Sequence, residues 1–201
     1  MSTPLFRSGR QLQAAVRAVL VFTVLLGIGY PLVITGVAQV VAPSKAEGSL
    51  IEVDGEVVGS SLIGQGFTDA DGNPLPQYFQ SRPSAGGYDG AASGGSNLGP
   101  NSEELAALIE ERRAVAAELE GVDPADVPAD AVTASASGLD MGISPEYAAL
   151  QIARVAQERR ASPEEVDALV DEATVGRDLG FVGAPYVNVL ELNLALDREL
   201  P

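Results

Sequence analysis

The chain contains no cysteine, no histidine and no tryptophan, and its only lysine is Lys45. Without cysteine there is no disulfide, no thiol nucleophile and no lipid-anchored thiol. Without histidine, Ser-His-Asp catalysis, imidazole-ligated zinc and imidazole proton relays are excluded. Lys45 closely follows a long apolar run, a poor position for a Ser-Lys dyad. Enzymes that work with carboxylates alone stay open. Charge is one-sided as well: 12 basic residues face 28 acidic ones, a net of −16. That excess argues against nucleic acid, or an anionic lipid surface, as the partner of the acidic part of the chain.

What is present is a run of 25 residues, Ala18 to Ala42, with no charged side chain. About 20 apolar residues suffice to cross the hydrocarbon core as one helix, and no second run of this kind occurs. A cleaved signal peptide is the main alternative, with Val40 and Ala42 as its small-residue site. The run is about twice the length of a usual signal h-region, however, and Pro43 follows the site directly. A buried core helix is a third reading, but the rest of the chain has no comparable apolar surface to wrap it. Arg7, Arg10 and Arg17 precede the run without any acidic residue, whereas everything from residue 43 onward carries a net of −19. Basic residues on one short flank favour a cytoplasmic location for that flank. The expected organisation is a cytoplasmic N-terminus over 1–17, a transmembrane helix over 18–42 surrounded by membrane lipid, a linker over 43–55 and an extracytoplasmic domain over 56–201. Within the helix, Gly29 and Gly36 lie seven residues apart near one face, where small residues let another helix approach. Pro31 removes a backbone donor, and the carbonyl it frees needs a partner in the membrane.

Turn chemistry and helical spacing divide the remainder. Glu56–Gln65, with Val57, Val58, Leu62 and Ile63, suits a strand; Asp69–Pro76 is a turn, Gln77–Ser81 a short strand and Arg82–Gly99 a long Gly/Ser-rich loop. Asn101 with Glu104 forms a capping box for a helix whose stripe is Leu105, Leu108, Ile109, Val115, Ala116 and Leu119. Arg112 falls inside that stripe, with Asp89 or Asp140 as candidate partners, or its stem snorkels outward. After a Pro-bearing connector over Gly121–Ala131 and a loop over Thr133–Gly142, Ser144 caps a helix with Pro145 at its first position. It ends near Arg160, and Ser162 with Glu165 opens another helix that Gly176 terminates. Asp178–Gly183 is a small glycine-bounded apolar piece. Leu190, Leu192, Leu194 and Leu196 alternate as in a strand, yet Asn188 and Glu191 form a third capping box and the composition favours helix. The domain is expected to be α+β, with few short strands and about four helices.

Four groups of residues invite a chemical reading. The glycines of Ser93-Gly94-Gly95-Ser96 permit a loop whose N–H groups converge on an anion ahead of a helix N-terminus, but the Walker lysine is missing. Asp89, Asp140 and Glu146 offer carboxylates for glycosidase-like chemistry, without any distinctive setting. Gln151, Arg154 and Arg159 share one helix, where surface placement with salt bridges is the plain expectation. Tyr78, Phe79 and Tyr88 are clustered aromatics, expected to pack.

The order of motifs is more specific than any one of them. Gly59-Ser60-Ser61-Leu62-Ile63-Gly64-Gln65 is followed by Tyr78-Phe79-Gln80-Ser81-Arg82-Pro83-Ser84 and Tyr88-Asp89. Then come Ser93-Gly94-Gly95-Ser96-Asn97-Leu98-Gly99-Pro100 and Thr133-Ala134-Ser135-Ala136-Ser137-Gly138-Leu139-Asp140. Ile143-Ser144-Pro145, Gln151-Ile152-Ala153-Arg154-Val155-Ala156 and Val187-Asn188-Val189-Leu190-Glu191-Leu192-Asn193 complete the series. Behind one N-terminal apolar helix, this order closely resembles the C-subunit family of the Kdp potassium-transporting ATPases.

The resemblance implies an inner-membrane complex in which a channel-like A subunit selects potassium and a P-type ATPase B subunit hydrolyses ATP, accompanied by a small F subunit. The complex uses ATP, Mg2+ and K+. The C subunit itself is implied to be non-catalytic, with no metal or cofactor of its own, and to stabilise the assembly beside the ion entrance. An influence on ATP affinity is implied through the Ser-Gly-Gly-Ser loop and a glutamine. The motif residues are then candidates for bracing the domain or contacting subunits. Met141-Gly142 stands where the family often has Pro, and Ala136 where Gly is frequent. A membrane-tethered carboxylate hydrolase and a nucleotide-binding regulator are the rival readings.

Overall fold

A computed structural model describes residues 4–201; Met1, Ser2 and Thr3, the start of the expected cytoplasmic segment, lie outside the described residues. The described chain divides into two compact units that part between Leu50 and Ile51.

The first unit is helical from α1 (Pro4–Phe22) through a π-helical stretch, Thr23–Gly29, into α2 (Tyr30–Val41). Within Gly9–Val41 an 18-residue apolar window reaches a mean hydropathy of 2.2, and none of its residues is buried, as suits a helix solvated by lipid. Proline clashes with the carbonyl four residues back, and the wider turns stand immediately before Pro31, with Tyr30 N–H donating to Leu25 O, five residues back. The expected disturbance at Pro31 therefore takes the form of a π register. That register also draws in Val24 O, which a Cβ on Gly29 would meet at 3.4 Å, whereas Gly36 faces open space. The 43–55 segment, read as linker, carries a helical turn, α3 (Pro43–Ala46), and a strand, β1 (Leu50–Val53).

In the second unit β2 (Glu56–Ser60) pairs with β1 across the Asp54-Gly55 turn. The strand stops at Ser60, short of the expected Gln65, because the Ser60 side chain turns back to accept Leu62 N–H at 3.2 Å. Gln77–Ser81 is not a strand. Helix α4 (Glu103–Glu120) is capped by Ser102, not Asn101, and ends on Gly121. Its stripe buries Ala116 and Ala117 but leaves Val115 exposed. Arg112 pairs with neither Asp89 nor Asp140; its guanidinium donates to Val132 O at 3.1 Å. A 3-10 turn (Pro124–Asp126) and α5 (Ala129–Val132) follow.

Three short strands, β3 (Gly142–Ile143), β4 (Thr174–Val175) and β5 (Tyr186–Asn188), form an antiparallel sheet in the order β3-β5-β4. Ile143 and Thr174 both register with Val187. Around the sheet stand α6 (Pro145–Arg159), capped by Ser144, then α7 (Pro163–Glu172) and α8 (Val189–Glu199). Helix α7 ends on Ala173 rather than Gly176. The alternating leucines resolve as helix: Val189, Leu192 and Leu196, three and four apart, are fully buried, and with Ile143, Val155, Val166 and Val187 they form the core. The domain is thus α+β with four helices of ten or more residues.

The Ser162–Glu165 capping box is complete, with reciprocal bonds at both residues. Hydrogen bonds from the Ser162 backbone and side chain hold the Glu165 carboxyl below its ordinary range. A carboxylate depressed on folding stabilises above its unfolded pKa and loses that contribution as pH falls through the folded value. Glu165→Ala is therefore expected to lower the urea midpoint of the detergent-solubilised chain at pH 7, with the difference from wild type shrinking as the pH falls below the ordinary glutamate range.

Candidate functional site

The segment from Pro76 to Pro83 is buried at its centre but irregular, so its backbone lacks a strand neighbour. Buried amides need partners, and here side chains supply them. Asn193, on α8, accepts Phe79 N–H at 2.9 Å and donates to Phe79 O at 3.0 Å. Gln151, on α6, accepts Gln80 N–H at 2.6 Å and donates to Gln80 O at 3.2 Å. Each carboxamide reproduces the two-bond pairing of an adjacent strand. Both amide side chains are sealed off, at 0% and 1% exposure for Gln151 and Asn193.

Arginines close the remaining carbonyls. Arg154, one turn beyond Gln151, donates to Pro76 O and, at 3.0 Å, to Tyr78 O. Its third nitrogen steadies Gln151 Oε1 at 2.9 Å, while Nε holds both oxygens of Glu120 at 3.0 Å. This ion pair is buried, and burial raises the Glu120 carboxyl above its ordinary pKa despite the opposing guanidinium. Burial likewise pushes up the neighbouring Tyr147 hydroxyl. Arg159 donates to Gln77 O at 2.8 Å, pairs with Asp197 and lies 4.9 Å from the centre of the Tyr78 ring. Gln80 turns its own amide onto the carbonyls of Phe67, Leu75 and Tyr78.

A second set of bonds latches the Gly/Ser loop to residues 135–140. Arg82 pairs with Asp140 at 2.9 Å and donates to Thr133 O. Ser84 donates to Gly138 O at 2.7 Å and accepts Tyr88 N–H, while the Tyr88 hydroxyl donates to Arg82 O. Ser137 O receives Gly94 N–H at 2.7 Å and Ser93 Oγ at 3.0 Å. Gly138 has φ +72°, and a Cβ there would stand 2.7 Å from Gly94 O. A Cβ on Gly64 would stand 2.3 Å from Asp140 O and 2.6 Å from the Tyr88 ring. The strands of this latch therefore touch backbone to backbone.

The motif residues consequently serve mostly as clamps. Gln65 donates to Val58 O and takes Ser81 Oγ on its carbonyl, joining β2 to the irregular segment. Asn188 caps α8 and donates to Ser61 O. Phe79 is core, Tyr78 packs against Phe67, and Tyr88 is separate from them, in the latch. Gln151 is buried and Arg154 and Arg159 are half-buried rather than on the open surface, but the salt bridges expected of this helix are present, Arg154 with Glu120 and Arg159 with Asp197. The carboxylates do not form an acid-base pair: both Asp140 oxygens are engaged, by Arg82 and Ser137, Asp89 caps its own turn at Ala91 N–H, and Glu146 is exposed. As an anion cradle the loop is poorly set, since Gly94 N–H is taken and the first turn of α4 carries Glu103 and Glu104. Leu98, Gly99 and Pro100 run on past Ser96 and Asn97 to the Ser102 cap.

The sequence reading missed Glu120 and named Gln80 and Ser135 only as members of their motifs, without a role of their own. Ser135 is buried and accepts N–H from Gly138 and Asp140. A signal existed for Gln151 and Asn193: each sits at helical spacing among apolar residues, Ala148 and Val155 for one, Val189 and Leu196 for the other.

Residues 12–198 match the family described as KdpC: K+-transporting ATPase, c chain. A protein of Kineococcus radiotolerans named potassium-transporting ATPase KdpC subunit is 51% identical over the full length of both chains. Proteins of the same name from Mycobacterium bovis and Streptomyces coelicolor are 52% and 46% identical, covering 94% and 98% of this chain and 98% and 96% of their own.

Replacing either clamp by an apolar residue, Gln151→Leu or Asn193→Leu, strands one buried N–H and one buried carbonyl. At about 1–3 kcal/mol per group, each variant is expected to lose about 2–6 kcal/mol in urea unfolding of the solubilised chain. An exposed change such as Glu199→Gln should stay within about 0.5 kcal/mol.

Proposed function

The chain belongs to the KdpC family of K+-transporting ATPase c chains, and from that premise we propose that it is a non-catalytic subunit of an ATP-driven potassium-import complex. Its partners are the channel-like potassium-binding A subunit, the P-type ATPase B subunit and the small F subunit. ATP, Mg2+ and K+ are handled by those partners, and this chain holds no cofactor. Its role is to stabilise the assembly: the apolar helix packs among the partners' membrane helices, and the domain stands at the outer face near the ion entrance. The observation that carries this reading is the family match over residues 12–198, with relatives of the same name along the whole chain.

Two physical features favour a bracing role over chemistry. The motif residues spend their hydrogen bonds on the domain's own backbone, which yields a stiff body. The engaged Asp140 and the occupied Gly94 N–H give neither a hydrolase pair nor a nucleotide cradle. An effect on ATP affinity enters this reading only as coupling at a distance. The orientation follows the charge asymmetry, +3 before residue 43 against −19 after it.

Expression of the complex without this chain is expected to yield dispersed subunits and no potassium-dependent ATP hydrolysis; full activity of the remainder would refute a required role. Since the chain has no native cysteine, Ser96→Cys gives a clean topology probe. In intact cells it should react with a membrane-impermeant maleimide added from outside, and labelling only after the inner membrane is opened would reverse the orientation.

A further inference from the structure

The two most exposed large apolar side chains of the second unit are Leu179, 86% exposed, and Phe181, 73% exposed. They flank Gly180 at the tip of a turn whose base is an antiparallel bridge between Asp178 and Val182, with bonds of 3.0 and 2.9 Å in the two directions. Leu179 and Gly180 both have positive φ, 54° and 82°. A left-handed residue in a loop is favourably Asn, Asp or Gly, because a larger Cβ crowds the following carbonyl. Leucine is therefore unfavourable there twice over, for the backbone and for exposure to water, and one asparagine would relieve both. Local rules broken together at one exposed point make it the place to look for a functional contact.

We propose that Leu179–Gly180–Phe181 is a docking knob that inserts into an apolar pocket of another protein subunit anchored in the same membrane complex. The proposal rests on the reading of this chain as a subunit of such a complex. Size decides among occupants. A freely diffusing partner, a second copy included, requires about 1,200–2,000 Å² of buried surface, whereas an aromatic side chain supplies about 150–250 Å². So small a knob contributes only where its partner is already held close, and a shared membrane anchor provides that effective concentration. Charge argues against lipid. Membrane-inserting tips rely on basic flanks; here Arg177 stands beside Asp178, with Asp171 and Glu172 nearby in a strongly acidic chain.

The test uses the full chain co-expressed with the other subunits. p-Benzoylphenylalanine in place of Phe181 is irradiated in membranes, and the double variant Leu179→Asn/Phe181→Ser is followed through purification of the complex. Expected are a crosslink to a different protein subunit and, for the double variant, loss from the immobilised complex about tenfold faster than wild type. Asparagine suits the turn, so the variant's urea midpoint should match or exceed wild type. A crosslink to lipid, to a second copy or to nothing overturns the knob, as does wild-type retention of the double variant. If the wild-type chain itself fails to co-purify with any subunit, the subunit reading fails, an outcome distinct from failure of the knob alone.

Discussion

Two carboxamides hold the domain together. Gln151 and Asn193 reach from α6 and α8 to the buried Phe79–Gln80 backbone and give it the N–H and C=O partners that a neighbouring strand would have given. The segment can cross the core without regular structure only because these amides desolvate together with it. Arg154 extends the device, spreading one guanidinium over two carbonyls, Gln151 and the buried Glu120. Removing any one member exposes the others' unmet bonds to a dry interior, where their cost is highest.

From that constraint follows the character of the molecule. The Gly/Ser loop is tied to residues 135–140 by backbone contacts too close for side chains at Gly138 and Gly64, and the ion pair of Arg82 with Asp140 lies across the same junction. Polar residues that by type alone suggest acid-base chemistry or anion binding are satisfied internally. The hydrogen bonds of these side chains are thus spent within the domain of this KdpC-family chain. The exception is the turn at Leu179–Phe181, where apolar groups point outward and the backbone is strained.

The membrane segment obeys a different solvent. Its helix exposes apolar residues on all sides, and the π register ahead of Pro31 shows how such a helix absorbs a missing donor without breaking. Gly29 sits against the displaced Val24 carbonyl, so its smallness has a use within the helix, whereas Gly36 leaves a gap open to a neighbour.

Sequence by itself determined what depends on neighbours along the chain: the apolar span, the charge asymmetry, the caps at Ser144, Ser162 and Asn188, and the choice of helix for Val189–Glu199. Each of these is a matter of spacing within a few residues or of summed hydropathy. Local chemistry misplaced the cap at Asn101 by one residue, and the stop at Gly176 by three, since equally good capping residues compete nearby. Only the tertiary structure decided that Gln77–Ser81 forgoes a strand, that Arg112 binds Val132 O, and that Gln151, Arg154 and Asn193 are interior clamps. Those outcomes depend on partners 20 to 114 positions away, and a polar residue on an apolar stripe does not disclose which distant backbone it was placed there to satisfy.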